Sequence, residues 1–126
     1  MVALADTQVM LWFVWGDSRL SSRHRRAIEQ SDLLVSIVSL WEIAIKVNIG
    51  KLDLGMSYPD FVRDHISDTD VDVIDIGVSD LFEYMTLPLL HRDPFDRLLI
   101  AQASARNIPV ITTDQAFSRY DIETVS

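Results

Sequence analysis

The chain has 126 residues, of which 48% are hydrophobic, and carries a formal net charge of −8 with no cysteine. This length supports one hydrophobic core but not two independently stable ones, so we predict a single domain over residues 1–126. The absence of cysteine excludes disulfides, thiolate zinc sites and a cysteine nucleophile. The acidic balance argues against a broad basic surface for nucleic acid, unless bound cations change the local charge.

Neither a secretory signal nor a membrane span is apparent in the sequence. The apolar N-terminal stretch contains Asp6 and has no Lys or Arg before Arg19, so it lacks the charged start of a signal peptide. No apolar run reaches the roughly 18 residues that a membrane helix needs. We therefore expect a soluble, cytoplasmic protein without membrane attachment.

Strand and helix patterns alternate along the chain. In chain order we predict a strand over 2–5, a helix over 7–15, a helix from Ser21 or Ser22 to Gln30, a strand over 33–36, a helix from Ser39 to Gly50, a helix over 57–65, a strand over 71–76, a helix over 79–85, a helix over 93–106, a strand over 110–112, a short helix to Phe117 and an edge strand over 122–125. This alternation favours an α/β fold, with a parallel sheet covered on both faces by right-handed crossovers.

Four acidic residues fall where a predicted strand ends or a helix begins. Asp6 follows the first strand and Asp114 the fourth, while Glu42 and Asp96 lie in the opening turns of helices. In a parallel sheet these points collect at one edge, where clustered carboxylates repel one another unless cations join them. Hard oxygen ligands suit Mg²⁺ and Mn²⁺, so the pattern indicates a divalent metal site and phosphate chemistry.

Each of these carboxylates also has an ordinary structural explanation. Asp6 and Asp114 could cap the helices that follow them. Glu42 completes a capping-box pattern with Ser39, and Asp96 lies in a first turn, where the helix dipole favours negative charge. The metal interpretation therefore depends on all four falling at the same edge of the sheet.

Four segments of the chain resemble those of PIN-domain nucleases of the VapC toxin type. They are residues 5–12 (ADTQVMLW), 39–46 (SLWEIAIK), 91–103 (HRDPFDRLLIAQA) and 112–114 (TTD), in the order found in that family. The resemblance implies a three-layer α/β/α sandwich with a central parallel sheet of four to five strands in the order 3-2-1-4-5. It also implies a Mg²⁺-dependent endoribonuclease, commonly a homodimer, that a cognate antitoxin holds inactive.

Positions within these motifs imply roles for individual residues. Asp6 and Asp96 correspond to the principal metal ligands, and Glu42 and Asp114 complete the acidic catalytic pocket. Thr7 and Thr113 are the hydroxyls expected either to orient the metal ligands or to position phosphate.

Other polar residues near the motifs are less specific. Arg92 and Arg97 flank the proposed site and are candidates for phosphate contacts, the alternative being a salt bridge to Asp93 or Asp96. The three histidines show no metal-ligand spacing, so we assign them no catalytic role. Gln8 departs from the His or Asn that often follows the Asp-Thr pair in related chains.

A second function remains open at this stage. The chain could be a non-enzymatic module of PIN-like fold that uses its apolar surface to bind a protein partner. Such a module would not need all four acidic residues, and this chain has them.

Overall fold

A computed structural model describes residues 1–125 as one five-stranded sheet flanked by helices. The elements are β1 (Val2–Ala5), α1 (Thr7–Trp15), α2 (Ser22–Glu29), β2 (Asp32–Ser36), α3 (Ile37–Asn48), α4 (Tyr58–Val62), a π-helical turn (Arg63–Ser67), β3 (Asp72–Ile74), α5 (Val78–Thr86), α6 (Pro94–Arg106), β4 (Val110–Ile111), a 3₁₀ helix (Gln115–Arg119) and β5 (Thr124–Val125). All neighbouring strands pair in parallel, in the order β3-β2-β1-β4-β5. The predicted α/β class and strand order are confirmed.

The sheet is covered on both faces because side chains alternate along its central strands. In β1, Ala3 and Ala5 join a core cluster with Val9 of α1 and Phe61 of α4. Leu4, between them, belongs to a second cluster that includes residues 98–101 of α6. These two clusters make the three-layer arrangement. Within residues 1–125, no helix is long and apolar enough to cross a membrane.

The start of α3 corrects one detail of the sequence analysis. The helix begins at Ile37, and Ser36 is its N-cap, with the Val38 amide donating to Ser36 Oγ at 3.0 Å. The capping box expected between Ser39 and Glu42 is therefore wrong. The strand β2 passes into the helix without a loop, which moves both residues further into the helix.

Both edge strands of the sheet are shorter than predicted. The strand expected over 71–76 covers only Asp72–Ile74, and the last strand covers Thr124–Val125 rather than 122–125. Val73 and Ile76, which belong to the predicted strand, are each more than one-third exposed. An apolar run at a sheet edge does not by itself require a long strand.

A buried polar network ties α5 and α6 to the end of β2. Ser36 Oγ donates to Gln102 Oε1 at 2.5 Å, and Gln102 Nε2 lies 3.4 Å from Asp80 Oδ2. The fully buried Asp80 also accepts from the Gly77 amide at 2.8 Å and pairs with Arg106 at 2.5 Å. Burial alone would raise the pKa of Asp80, but the hydrogen bonds from Arg106 and Gly77 and the Arg106 charge lower it. The network therefore holds an ionised carboxylate inside the fold.

We expect Arg106→Met to lower the free energy of unfolding by about 3 kcal/mol at pH 7, because it leaves the Asp80 carboxylate buried without its cation. Since the folded pKa of Asp80 lies below its unfolded value, the stabilisation is present above about pH 4 and is lost as pH falls further. The difference in free energy of unfolding between the unaltered protein and Arg106→Met should therefore become smaller at acidic pH. Urea unfolding monitored by circular dichroism at several pH values measures both effects.

Arg63→Met is the matched control, because Arg63 pairs with Asp60 and Asp64 on the exposed surface. It should cost less than about 1 kcal/mol. Equal losses from the two substitutions would contradict the importance of the buried pair.

Candidate metal centre

A cavity of about 270 Å³ opens at the carboxyl-terminal edge of the sheet, where β1 and β4 end. Five carboxylates and one ammonium group reach it. Its lining residues are Asp6, Thr7, Gln8, Glu42, Lys46, Asp93, Asp96, Thr113 and Asp114. All four of the acidic residues singled out in the sequence therefore lie together.

Asp6 is buried at the base of this cavity. It is the N-cap of α1, where Oδ1 accepts from the Val9 amide at 2.8 Å, and Oδ2 accepts from the Thr112 hydroxyl. Burial raises the pKa of Asp6, the two hydrogen bonds lower it in part, and the nearby charges of Asp114 and Glu42 raise it further. The ionised form is thus held under electrostatic strain that a cation would relieve.

Glu42 enters the cavity from the second turn of α3 and is only 6% exposed. Its Oε2 accepts from Lys46 Nζ at 2.9 Å, one helical turn further on. Its Oε1 is buried and has no hydrogen-bond partner among the described residues. A buried carboxylate oxygen without a donor is costly, and a metal ion would supply the missing contact.

Asp96 lies in the first turn of α6, behind the N-cap Asp93, whose Oδ1 accepts from the Phe95 amide at 2.8 Å. Burial raises the pKa of Asp96 to about 7, the charges of Asp93 and Glu42 also raise it, and His91 opposes them. The other carboxylates therefore act on Asp96 through space.

Asp114 closes the cavity as the N-cap of the 3₁₀ helix. Its Oδ1 accepts from the Ala116 amide at 2.9 Å, and its Oδ2 lies 3.5 Å from His91 Nε2. Thr112, which directly follows β4, donates its hydroxyl to Asp6 and accepts from the Asp114 amide at 3.0 Å. Thr112 thus links two of the acids, a role that the sequence analysis did not assign.

The two threonines expected to position phosphate differ in their surroundings. Thr7 is buried and donates to Ser39 Oγ at 2.8 Å, which joins α1 to α3 beside the cavity. Thr113 is exposed at the cavity rim. Only the Thr113 hydroxyl is therefore open to a ligand without breaking an internal hydrogen bond.

The structure does not bring the two candidate arginines into the cavity. Arg97 is buried on the far side of α6, where its guanidinium lies 4.5 Å from the Tyr84 ring centre and Nη2 donates to the Leu87 carbonyl. Arg92 is exposed and is not part of the cavity lining. Neither forms the alternative salt bridge to Asp93 or Asp96 within residues 1–125.

His91 contacts the acidic cluster, although the sequence analysis assigned it no role. Its Nε2 is 2.9 Å from Asp96 Oδ2 and 3.5 Å from Asp114 Oδ2. The three side chains form a group of possible metal-binding atoms within 4.8 Å of one another. The one available signal was that His91 stands two residues before the Asp-Pro start of α6.

The donor set fits a hard divalent cation. Carboxylate oxygens are the ligands that Mg²⁺ and Mn²⁺ prefer, and the unpartnered Glu42 Oε1 points to a missing positive neighbour. Among residues 1–125, Lys46 is the only cationic side chain in the cavity lining, and its single charge cannot balance five carboxylates. Asp6, Glu42, Asp96 and Asp114 all line this cavity, and Asp96 and Asp114 also belong to the group of possible metal-binding atoms around His91.

A family model for the PIN domain matches residues 3–123, nearly the whole chain. The chain belongs to the PIN domain family. This match includes every residue that lines the acidic cavity, and it agrees with the resemblance seen in the sequence. No match was found among curated proteins.

Solved structures similar to this PIN domain include chains of VapBC structures and of a toxin–antitoxin complex. A chain of VapBC2 from Rickettsia felis, solved bound to a promoter DNA fragment, is 16% identical, with a TM-score of 0.74 and coverage of 99% of this chain and 98% of that one. A chain of DNA-bound VapBC from Salmonella typhimurium is 15% identical, with a TM-score of 0.75 and coverage of 99% and 97%. A chain of a toxin–antitoxin complex from Klebsiella pneumoniae is 16% identical, with a TM-score of 0.67 and coverage of 98% and 96%. At these identities the likeness establishes a shared fold.

We expect metal-free protein to lose stability as pH rises from about 4 to about 7, and Asp96→Asn to lessen this loss. The folded pKa of Asp96, about 7, exceeds the ordinary value of 3.8, so the folded state holds the proton more tightly in this range. One such group contributes at most about 1.4 kcal/mol per pH unit. Urea unfolding in EDTA at stepped pH values measures the slope.

The exposed acid Asp121 provides the control. Asp121→Asn should leave the slope as it is in the unaltered protein. If Asp96→Asn also left the slope unchanged, the strained carboxylate at Asp96 would be ruled out.

Proposed function

We propose that this PIN domain is a Mg²⁺-dependent endoribonuclease and the toxin of a toxin–antitoxin pair, acting in the cytoplasm. The observation that carries the proposal is the cavity in which distant carboxylates converge around a buried, unpartnered Glu42 oxygen. Membership of the PIN family and the toxin–antitoxin complexes among its structural relatives support a nuclease toxin. Mn²⁺ is the expected substitute cation.

In this proposal Asp6 and Asp96 are the principal metal ligands, and Glu42 and Asp114 complete the catalytic cluster. Asp96 and Asp114 have side chains that are partly open to solvent, whereas Asp6 is nearly enclosed. Asp6 would hold the ion at the enclosed end of the cavity, and Asp96 and Asp114 would leave room for substrate at the open end. The Thr113 hydroxyl at the rim is the remaining candidate for a phosphate contact.

The reaction that suits this site is hydrolysis of an RNA phosphodiester, leaving a 5′-phosphate and a 3′-hydroxyl. A bound Mg²⁺ would make a coordinated water more acidic and neutralise charge on the phosphate. The helices α1 and α6 both begin at the cavity, and the positive ends of their dipoles favour an anionic substrate there. Lys46 adds one fixed positive charge to the same wall.

A protein partner is the second part of the proposal. The similar structures from Rickettsia felis and Salmonella typhimurium are VapBC complexes, and the one from Klebsiella pneumoniae is a toxin–antitoxin complex. We infer that this chain likewise has a cognate antitoxin. The non-enzymatic binding module remains the second candidate, because exposed apolar residues on α5 would serve it equally well.

We expect the purified protein to cut RNA in the presence of Mg²⁺ and to leave 5′-phosphate ends. Asp6→Asn should lower the cleavage rate by more than about 100-fold, because it removes the charge of a metal ligand. Asparagine is also a good N-cap, so α1 should keep its start. The assay is cleavage of total RNA with sequencing of the cut ends, in Mg²⁺ and in excess EDTA.

Asp121→Asn serves as the control for a lost negative charge on the surface, and should cut RNA at the normal rate. Cleavage that survives in Asp6→Asn or in EDTA would contradict metal-dependent hydrolysis at this site. A folded, Mg²⁺-binding protein that cuts no RNA would favour the binding module.

A homodimer is the third part of the proposal, and an apolar face on α5 supports it. The face comprises Val78, Leu81, Phe82 and Met85, which follow the spacing of one helical stripe. Phe82 and Met85 are 69% and 80% exposed. Exposed apolar stripes of this kind mark interaction surfaces.

We expect Phe82→Glu to convert a dimer into a monomer at micromolar concentration, because a buried charge in an apolar interface is strongly unfavourable. Sedimentation velocity measures the change. Met56→Glu places the same charge at an exposed apolar residue before α4, on the opposite side of the sheet, and should leave the dimer intact. A monomeric unaltered protein would contradict the dimer.

A further inference from the structure

His91 is fixed by contacts with two residues of the segment that follows β4. Its backbone amide donates to the Tyr120 hydroxyl at 2.9 Å, as the Leu90 amide does at 3.1 Å. Its ring lies edge-on to Phe117, with centres 6.4 Å apart. The segment before α6 is therefore anchored to the segment after β4, and His91 is held beside Asp96 and Asp114.

The hydrogen bond at the other ring nitrogen determines which nitrogen carries the proton. The Asp93 amide points at His91 Nδ1 over 3.3 Å, so Nδ1 is an acceptor. In the neutral imidazole the proton must then be on Nε2. A metal-binding histidine shows the opposite pattern, with a bare ligating nitrogen and an N–H donated to an acceptor at the other.

The protonated Nε2 lies between two carboxylates that belong to different elements. It is 2.9 Å from Asp96 Oδ2 on α6 and 3.5 Å from Asp114 Oδ2 after β4, without a well-aligned hydrogen bond to either. In the part of the chain that the structure describes, the Asp96 carboxylate accepts no hydrogen bond from another residue. Among the described residues, His91 is thus a side chain that lies within contact distance of both acids.

We propose that His91 is a positioning residue, an Nε2–H donor that sets the spacing of Asp96 and Asp114 for a divalent cation without ligating it. The inference rests on the proposed metal site. Residues that orient metal ligands by hydrogen bonding typically raise the metal affinity by about 10-fold to 100-fold. Because His91 leaves the ligand set all-oxygen, it should affect Mg²⁺ and Mn²⁺ alike.

Calorimetric titration of RNA-free protein with Mg²⁺ and with Mn²⁺ tests the inference apart from catalysis. His91→Gln keeps an amide N–H near the position of Nε2, whereas His91→Asn is shorter and does not reach the carboxylates. We expect His91→Asn to weaken the binding of both ions by about 10-fold to 100-fold. His91→Gln should bind each ion with an affinity within about threefold of that of the unaltered protein. The ratio of the two affinities should stay constant, and thermal unfolding in EDTA verifies that both variants fold.

Co²⁺ absorption distinguishes positioning from ligation. The visible spectrum of the Co²⁺-loaded protein should be the same in the unaltered protein and in His91→Gln, because nitrogen coordination is absent in both. A spectral change, or a selective loss of Mn²⁺ over Mg²⁺, would show His91 to be a ligand and overturn the inference.

Two further outcomes separate this inference from the proposed function. If both variants bound metal normally while RNA cleavage still required Mg²⁺, the inference on His91 would fail alone. If the unaltered protein bound no divalent cation, the metal-dependent function would fail, and the inference with it.

Discussion

Mutual repulsion among buried carboxylates is the constraint on which the site depends. Parallel pairing of β1 and β4 places Asp6 and Asp114 at the same edge of the sheet. The second turn of α3 adds Glu42 to the same cavity, and the first turn of α6 adds Asp96. Proximity, burial and like charge favour the neutral acids, which is why the pKa values of Asp6 and Asp96 are raised. Such a cluster is destabilising in the absence of a cation, so its presence is better explained by binding than by stability.

Capping and metal binding turn out not to be competing explanations. In Asp114 one carboxylate oxygen caps the 3₁₀ helix while the other faces the cavity. In Asp6 the capping oxygen is Oδ1, and Oδ2 is oriented by the Thr112 hydroxyl. The cap fixes the side-chain rotamer, and a fixed rotamer loses less entropy when an ion binds. The local helix signals in the sequence therefore help to build the site.

The sequence predicted those parts of the molecule that follow from local pattern and from motif. The positions of Asp6 and Asp114 after strands were enough to predict their convergence, and the resemblance implied the strand order. The start of α3 was missed because Ser36 and Ser39 are both acceptable caps, and only the length of β2 decides between them. Arg97 was misjudged because consecutive helical residues point about 100° apart, so a neighbour of Asp96 in sequence faces Tyr84 in space.

His91 could not be found from spacing, because its placement depends on residues far along the chain. Tyr120 fixes its backbone and Phe117 its ring, and both lie beyond β4. The same region carries Asp114, so the segment after β4 positions both an acid and the histidine that contacts it.

Similar structures with 14–16% identity retain this fold, which shows that the backbone tolerates wide sequence change. The concentration of five carboxylates in one cavity carries an electrostatic cost, which a bound cation would offset.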